Sequence, residues 1–97
     1  MTRVALSPDV HDDFDRIFDH LFPYAPDTTA QRIEEIIAAI DILRTSPLIG
    51  RPAQDYQREL VISKVSNGYL ALYRYDAVTD TAYVLAIRSQ KEMGYKR

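Results

Sequence analysis

Basic side chains with a tyrosine among them are the most chemically suggestive set in this sequence. They lie in the second half of the chain and comprise Arg58, Lys64, Arg74, Arg88, Lys91, Tyr95, Lys96 and Arg97. Arginines on neighbouring strands can converge on one anionic target, and a nearby tyrosine can stack or transfer a proton. The set therefore indicates binding of an anionic or acidic macromolecule, with solubilising surface charge as the alternative.

The charge balance differs sharply between the two halves of the chain. Residues 1–43 hold three basic against nine acidic residues, and residues 44–97 hold nine basic against five acidic residues. The net charge of −2 hides this asymmetry. A dipolar surface of this kind can select a charged partner, whereas charges that merely solvate helices would give the same totals.

Other common catalytic and cofactor patterns are poorly represented. The three glycines match no dinucleotide or phosphate-loop pattern, so a nucleotide cofactor is not expected. Both histidines, His11 and His20, fall on the first predicted helix; His11 and Asp15 have a spacing that metal ligands use, but a solvated helix face explains them better. Without cysteine there is no disulfide, thiolate ligand or thiol nucleophile. We expect neither a cofactor nor a metal.

The length and hydropathy of the chain predict one cytoplasmic domain. Ninety-seven residues hold a single core, so residues 1–97 form one domain. The longest apolar stretch, Ala82 to Ile87, is far shorter than a membrane span, and the N-terminus has no signal-peptide pattern. We expect no membrane partner.

Two amphipathic helices are predicted in the acidic half, after a short strand from Arg3 to Leu6. Ser7-Pro8-Asp9 is typical of a helix start with a serine cap, and prolines end this helix near Leu21. The aspartates are expected on its solvated face. A second apolar stripe continues from Ala30 to Leu43, which predicts an antiparallel helical hairpin.

Three strands are predicted in the basic half, over residues 58–65, 69–76 and 81–88, after a loop at 48–57. The predicted fold class is α+β: a short N-terminal strand and an antiparallel two-helix hairpin packed on a three- to four-stranded antiparallel sheet. Alternation places Tyr69, Tyr73 and Tyr75 on one face of the middle strand. These tyrosines either form a contact surface or line the edge of the core.

Several segments together resemble the RelE/ParE superfamily of bacterial toxins. They are Gly50-Arg51-Pro52, Arg58-Glu59-Leu60, Tyr73-Arg74-Tyr75 and the block from Ala86 to Tyr95, and the resemblance runs from Val4 to Tyr95. It implies the toxin of a type II toxin–antitoxin pair, held inactive by a cognate antitoxin whose C-terminal segment wraps around it. It also implies two helices packed on an antiparallel sheet.

Two mechanisms occur in that superfamily. RelE-like members enter the ribosomal A site and cut mRNA, whereas ParE-like members poison DNA gyrase without being enzymes. For a ribonuclease, the resemblance suggests Arg58, Arg74 and Arg88 as charge stabilisers, Lys64 or Glu92 as the base, and Tyr95 as an acid or stacking group.

One departure from that pattern favours the gyrase mechanism. Ser89 stands where histidine is common in the Ala-Ile-Arg-x-Gln block, and serine does not titrate near neutrality. The expected function is therefore a gyrase-binding toxin, with the mRNA endoribonuclease and a non-toxic binding module as alternatives. The expected target-binding residues are Arg58, Tyr73, Arg74, Arg88, Lys91 and Tyr95.

Overall fold

The chain folds into a five-stranded sheet with two helices on one face. The computed structural model describes residues 1–63, 68–92 and 94–95. Its strands are β1 (Arg3–Leu6), β2 (Arg51–Pro52), β3 (Arg58–Ile62), β4 (Tyr69–Asp76) and β5 (Thr81–Ser89). Its helices are α1 (Pro8–Leu21) and α2 (Thr29–Ile40), and a 3₁₀ turn at Asp41–Arg44 follows α2. The predicted α+β class is confirmed.

The strand order is β1-β5-β4-β3-β2. Neighbours from β2 to β5 pair antiparallel, while β1 lies parallel to β5 at the edge of the sheet. The sheet therefore has one strand more than predicted, because Arg51 and Pro52 pair with Glu59 and Arg58 inside the segment expected to be a loop. Of the strand predicted over 58–65, residues 64–65 lie outside the described residues, as do 66–67 of the following turn.

The start of α1 differs from the serine cap that the sequence indicates. Pro8 does open the helix, but the Ser7 hydroxyl makes no capping hydrogen bond. It donates instead to the backbone oxygen of Leu85, at 3.1 Å, and the Ser7 amide donates to Val84. Ser7 thus anchors the start of α1 to β5, the strand that leads into the basic C-terminal segment.

The core lies between the helices and the sheet face that they cover, here called the inner face. The helices and the 3₁₀ turn contribute Val10, Ile17, Ile36, Ile40 and Leu43, and the strands contribute Leu60, Ile62, Tyr69, Ala71, Tyr73, Ala82, Val84 and Ile87. Each large apolar side chain buried in this way stabilises the fold by about 1.5–3 kcal/mol. The opposite face, here called the outer face, is not covered by a helix in the described part of the chain.

The tyrosine-bearing side of β4 faces the helices. Tyr69 and Tyr73 are buried on the inner face, and Tyr73 has no exposed surface. The Tyr73 hydroxyl donates to the Pro47 oxygen at 2.7 Å and accepts from the Gly50 amide at 2.8 Å. The interpretation as a contact surface is therefore wrong for Tyr69 and Tyr73: both are buried, and Tyr73 fastens the 47–50 segment to the sheet.

None of the helices in the described ranges is long and apolar enough to cross a membrane.

Candidate functional site

The outer face carries a mixture of basic, apolar and aromatic side chains. Strand alternation and cross-strand pairing place Glu59 and Val61 of β3, Leu70 and Arg74 of β4, and Arg88 of β5 on it. It is the face that carries the predicted site residues Arg74 and Arg88. A surface of this composition can contact an acidic macromolecule over several strands.

Four residues at one end of the outer face form a connected group, here called the outer-face cluster: Arg51, Glu59, Arg88 and Tyr95. The Tyr95 hydroxyl donates to Glu59 Oε2 at 2.6 Å, and Arg51 Nε donates to Glu59 Oε1 at 2.9 Å. The guanidinium of Arg88 lies 5.1 Å from the centre of the Tyr95 ring, a cation–π arrangement. The cluster holds two arginines and one carboxylate, so it is positive.

The surroundings of Glu59 and Tyr95 shift the pKa values of these two groups in opposite directions. Burial alone would raise the pKa of Glu59, but the hydrogen bonds from Tyr95 and Arg51 and the charges of Arg51 and Arg88 outweigh it, so this pKa lies below its ordinary value. Burial, and then the hydrogen bond to Glu59, raise the pKa of Tyr95 well above that of a free phenol. Glu59 is therefore ionised and Tyr95 neutral near pH 7.

Arg88 is held by the C-terminal segment while keeping some hydrogen-bonding capacity. Its Nη1 donates to the backbone oxygen of Glu92 at 2.7 Å and to that of Ser89 at 3.3 Å. Its Nε is buried and has no hydrogen-bond partner among the described residues. A guanidinium has five N–H donors, and an incoming acceptor would use the two at Nη2, because Nη1 is engaged and Nε is buried.

The three predicted arginines do not converge on one point. Arg58 is opposite Tyr73 in the β3–β4 register and donates through Nη1 to the oxygens of Leu48 and Gly50, which ties it to the 48–50 segment. Arg74 lies 5.7 Å from the ring centre of Tyr83 on the outer face. Arg74 is four positions along β4 from Leu70, the cross-strand partner of Arg88, which corresponds to about 13 Å. The structure therefore does not place Arg58, Arg74 and Arg88 around one shared anion, as the sequence predicted.

Of the two predicted bases, Lys64 and Glu92, the structure describes Glu92. The Glu92 carboxylate accepts two hydrogen bonds from Arg16 of α1, at 3.1 and 3.0 Å, so it is committed to an ion pair. Lys64 lies outside the described residues, as do Lys96 and Arg97 of the basic set. Lys91 is exposed on the turn after β5, where it can contact a partner.

A shallow depression of about 430 Å³ adjoins the cluster and is lined by Arg51, Val61, Leu70 and Gln90. Its walls combine two apolar side chains with one cation. The Gln90 side chain donates to the Ser63 oxygen at 2.8 Å, which closes one end. An apolar side chain of a partner fits the chemistry of this depression, with an acidic neighbour on Arg51.

The sequence interpretation missed four residues that organise this site: Asp13, Arg16, Arg51 and Glu59. Asp13 was expected on the solvated face of α1, but it is buried, with 1% of its surface exposed, and accepts the Ile87 amide at 2.9 Å. A signal was present, since Asp13 falls between Val10 and Ile17 at the spacing of the apolar stripe. Arg51 and Glu59 lie in two segments that carry the family resemblance, but nothing in the sequence indicated their pairing, because it depends on the unpredicted strand β2.

Comparisons with known proteins agree with this architecture. Residues 4–94 match the family model described as the ParE toxin of the type II toxin–antitoxin system parDE. One similar solved structure is a chromosomal ParDE toxin–antitoxin system from P. aeruginosa, 19% identical, with a TM-score of 0.77, over 92% of this chain and 96% of that one. Another is a metal-bound toxin from Helicobacter pylori, 13% identical, with a TM-score of 0.53, over 97% of this chain and 100% of that one.

A search of curated protein sequences found no significant match. At such low identities the two solved structures establish the fold alone. The family match is the stronger finding, because it spans nearly the whole chain and coincides with the range of the sequence resemblance. The chain therefore belongs to the ParE toxin family of type II toxin–antitoxin systems.

Proposed function

We propose that this ParE-type toxin arrests bacterial growth by binding DNA gyrase in the cytoplasm, without being an enzyme, and that a cognate antitoxin neutralises it. The binding surface is the outer face together with the turn that follows β5. Arg74, Arg88, Lys91 and Tyr95 are its contact residues. Arg58 contributes indirectly, because it holds the 48–50 segment.

The proposal that this toxin is not an enzyme is supported by the protonation states of Glu59 and Tyr95. A general base or acid works best with a pKa near the working pH. Here the pKa of the carboxylate lies below its ordinary value and that of the phenol well above it, and the two are hydrogen-bonded to each other. The other acidic candidate, Glu92, is paired with Arg16. The groups described on this surface favour binding over proton transfer.

The same surface indicates the chemistry of the antitoxin. Arg51, Arg74, Arg88 and Lys91 give the outer face and the following turn a positive character, and a depression with apolar walls lies among them. An acidic segment with apolar side chains is complementary to that surface. A reading frame for a small acidic protein beside the toxin gene is the expected genetic context.

Induced expression without a partner tests the proposal. We expect growth arrest with DNA breaks and filamentation, and inhibition of purified gyrase in a supercoiling assay. Rapid arrest of translation with mRNA cuts at fixed codon positions would establish the ribonuclease instead. Normal growth with soluble, folded protein would show a non-toxic binding module.

Variants of the surface sharpen this test. Arg88→Ala and Lys91→Ala are expected to weaken gyrase inhibition, whereas Arg44→Ala, which removes an exposed arginine beside α2, is the matched control. Tyr95→Phe keeps the ring under Arg88 and loses only the hydroxyl. It should reduce growth arrest by less than about tenfold, while a ribonuclease that uses Tyr95 as its acid would lose about 10²–10⁴-fold.

A further inference from the structure

Arg16 of α1 makes four hydrogen bonds away from the outer face. Its Nη1 donates to Asp13 Oδ1 at 2.7 Å, and its Nε and Nη2 donate to the two carboxylate oxygens of Glu92 at 3.1 and 3.0 Å. Nη2 also donates to the backbone oxygen of Ile87 at 3.1 Å. Such a two-pronged bond between a guanidinium and a carboxylate fixes direction as well as distance.

Asp13 also fixes the orientation of Arg16. Its carboxylate is almost fully buried, with one oxygen on Arg16 and the other on the amide of Ile87, at 2.9 Å. Asp13 and Arg16 together therefore hold both the N–H and the C=O of Ile87, the residue next to Arg88. These bonds fix the position of the Arg16 guanidinium relative to the end of β5.

Glu92 is held from both sides of the sheet. Its carboxylate binds Arg16 on the helix side, while its backbone oxygen accepts from Arg88, which belongs to the outer face. Arg88 in turn stacks on Tyr95. Glu92 thus connects α1 to the proposed contact residues Arg88 and Tyr95, and Lys91 is its immediate neighbour in the chain.

We propose that Arg16 and Glu92 are positioning residues: their ion pair fixes the turn after β5 so that Arg88, Lys91 and Tyr95 present one arrangement to the target. This inference rests on the proposed function for the identity of the target. The ion pair itself does not touch the target, since Arg16 lies on α1, on the opposite side of the sheet from the outer-face cluster.

A purely stabilising role makes a different prediction from a positioning role. If the ion pair served only stability, its loss would lower the melting temperature, and target binding would be normal in the protein that remains folded. If it positions the turn, the turn loosens locally, and binding falls in fully folded protein. Lys91 provides a probe, because trypsin cuts after lysine only where the chain can open locally.

The experiment compares Glu92→Ala, Glu92→Gln and the control Glu34→Ala, which removes an exposed carboxylate from α2. Purified proteins are assayed below their melting temperatures for gyrase inhibition and for trypsin cleavage after Lys91. Each cleavage rate is divided by that of the same variant unfolded in urea, because residue 92 flanks the cut bond and changes its intrinsic cleavage. We expect Glu92→Ala to be cut about tenfold faster and to inhibit about tenfold less, with Glu92→Gln between it and the wild type because the amide keeps one acceptor oxygen. Glu34→Ala should match the wild type.

Two results would overturn the inference. One is unchanged cleavage after Lys91 in Glu92→Ala; the other is faster cleavage with undiminished inhibition. Arg16→Lys is the second variant in case Glu92→Ala folds poorly, since lysine keeps the charge but not the fork, and it should behave like Glu92→Gln. If the wild type itself fails to inhibit gyrase, the proposed function fails, and growth arrest replaces gyrase inhibition as the readout for the same variants.

Discussion

Replacing Tyr73 with phenylalanine distinguishes a core tyrosine from a contact tyrosine. The hydroxyl makes two hydrogen bonds to one short segment, donating to the Pro47 oxygen at 2.7 Å and accepting from the Gly50 amide at 2.8 Å. Tyr73 has no exposed surface, so water does not replace these bonds without opening the segment. A buried polar group left without a partner costs about 1–3 kcal/mol.

We therefore expect Tyr73→Phe to lower the free energy of unfolding by about 2 kcal/mol, because the Pro47 oxygen and the Gly50 amide both lose the hydroxyl as their hydrogen-bond partner. In a domain of this length, that corresponds to a fall in melting temperature of roughly 8–16 °C. Thermal denaturation followed by circular dichroism measures it. Gyrase inhibition, assayed well below the melting temperature, should stay at the wild-type level.

The opposite pattern would refute this reasoning. A melting temperature within about 2 °C of the wild type would mean that the hydroxyl is not satisfied by the 47–50 segment. Loss of gyrase inhibition in folded Tyr73→Phe protein would show that Tyr73 contributes to the contact surface. Tyr75→Phe is the matched control, because the Tyr75 hydroxyl donates to the exposed carboxylate of Asp80, in the turn that follows β4.

Two further predictions concern the same segment and the outer-face cluster. Gly50→Ala should destabilise the protein by about 1–3 kcal/mol in thermal melts, because the added Cβ would lie 2.5 Å from Cε1 of the buried Tyr73 ring; an unchanged melt would show that the ring can move. Glu59→Gln should flatten the acid limb of the melting temperature against pH. The pKa of Glu59 is lower in the fold than its ordinary value of 4.5, so its stabilising effect is present above pH 4.5 and is lost as pH falls through the folded pKa. Parallel acid limbs for wild type and variant would contradict this assignment.

The sequence predicted most of the elements because their signals are local. Strand β4 begins and ends where alternation and the flanking turns place it, and β5 extends only one residue further than predicted. Both helices follow from apolar spacing, proline and the residues around Ser7. Local patterning sufficed for them because each signal lies within one element.

What the sequence did not determine was which side of β4 faces the helices. Both sides of this strand are apolar, one with Tyr69, Ala71 and Tyr73 and the other with Leu70 and Leu72. Alternation separates the two sets but does not say which is buried, because that depends on where the helical hairpin packs. Strand β2 depends on its pairing with β3 and is not visible to local patterns for the same reason, whereas the burial of Asp13 had a local signal in the apolar spacing of α1.

The outer-face cluster gives a physical reason to separate binding from catalysis on this fold. For Tyr95 to act as an acid it would have to lose a proton while its oxygen lies 2.6 Å from an ionised carboxylate, a state that the charge of Glu59 disfavours. For Glu59 to act as a base it would have to give up Arg51 and Tyr95 together. Binding needs neither change, because the charged Arg88 guanidinium attracts an acidic group and the aromatic ring beneath it stays in place. A partner acidic group can therefore dock on Arg88 with the cluster intact, which makes recognition the chemistry that this arrangement favours.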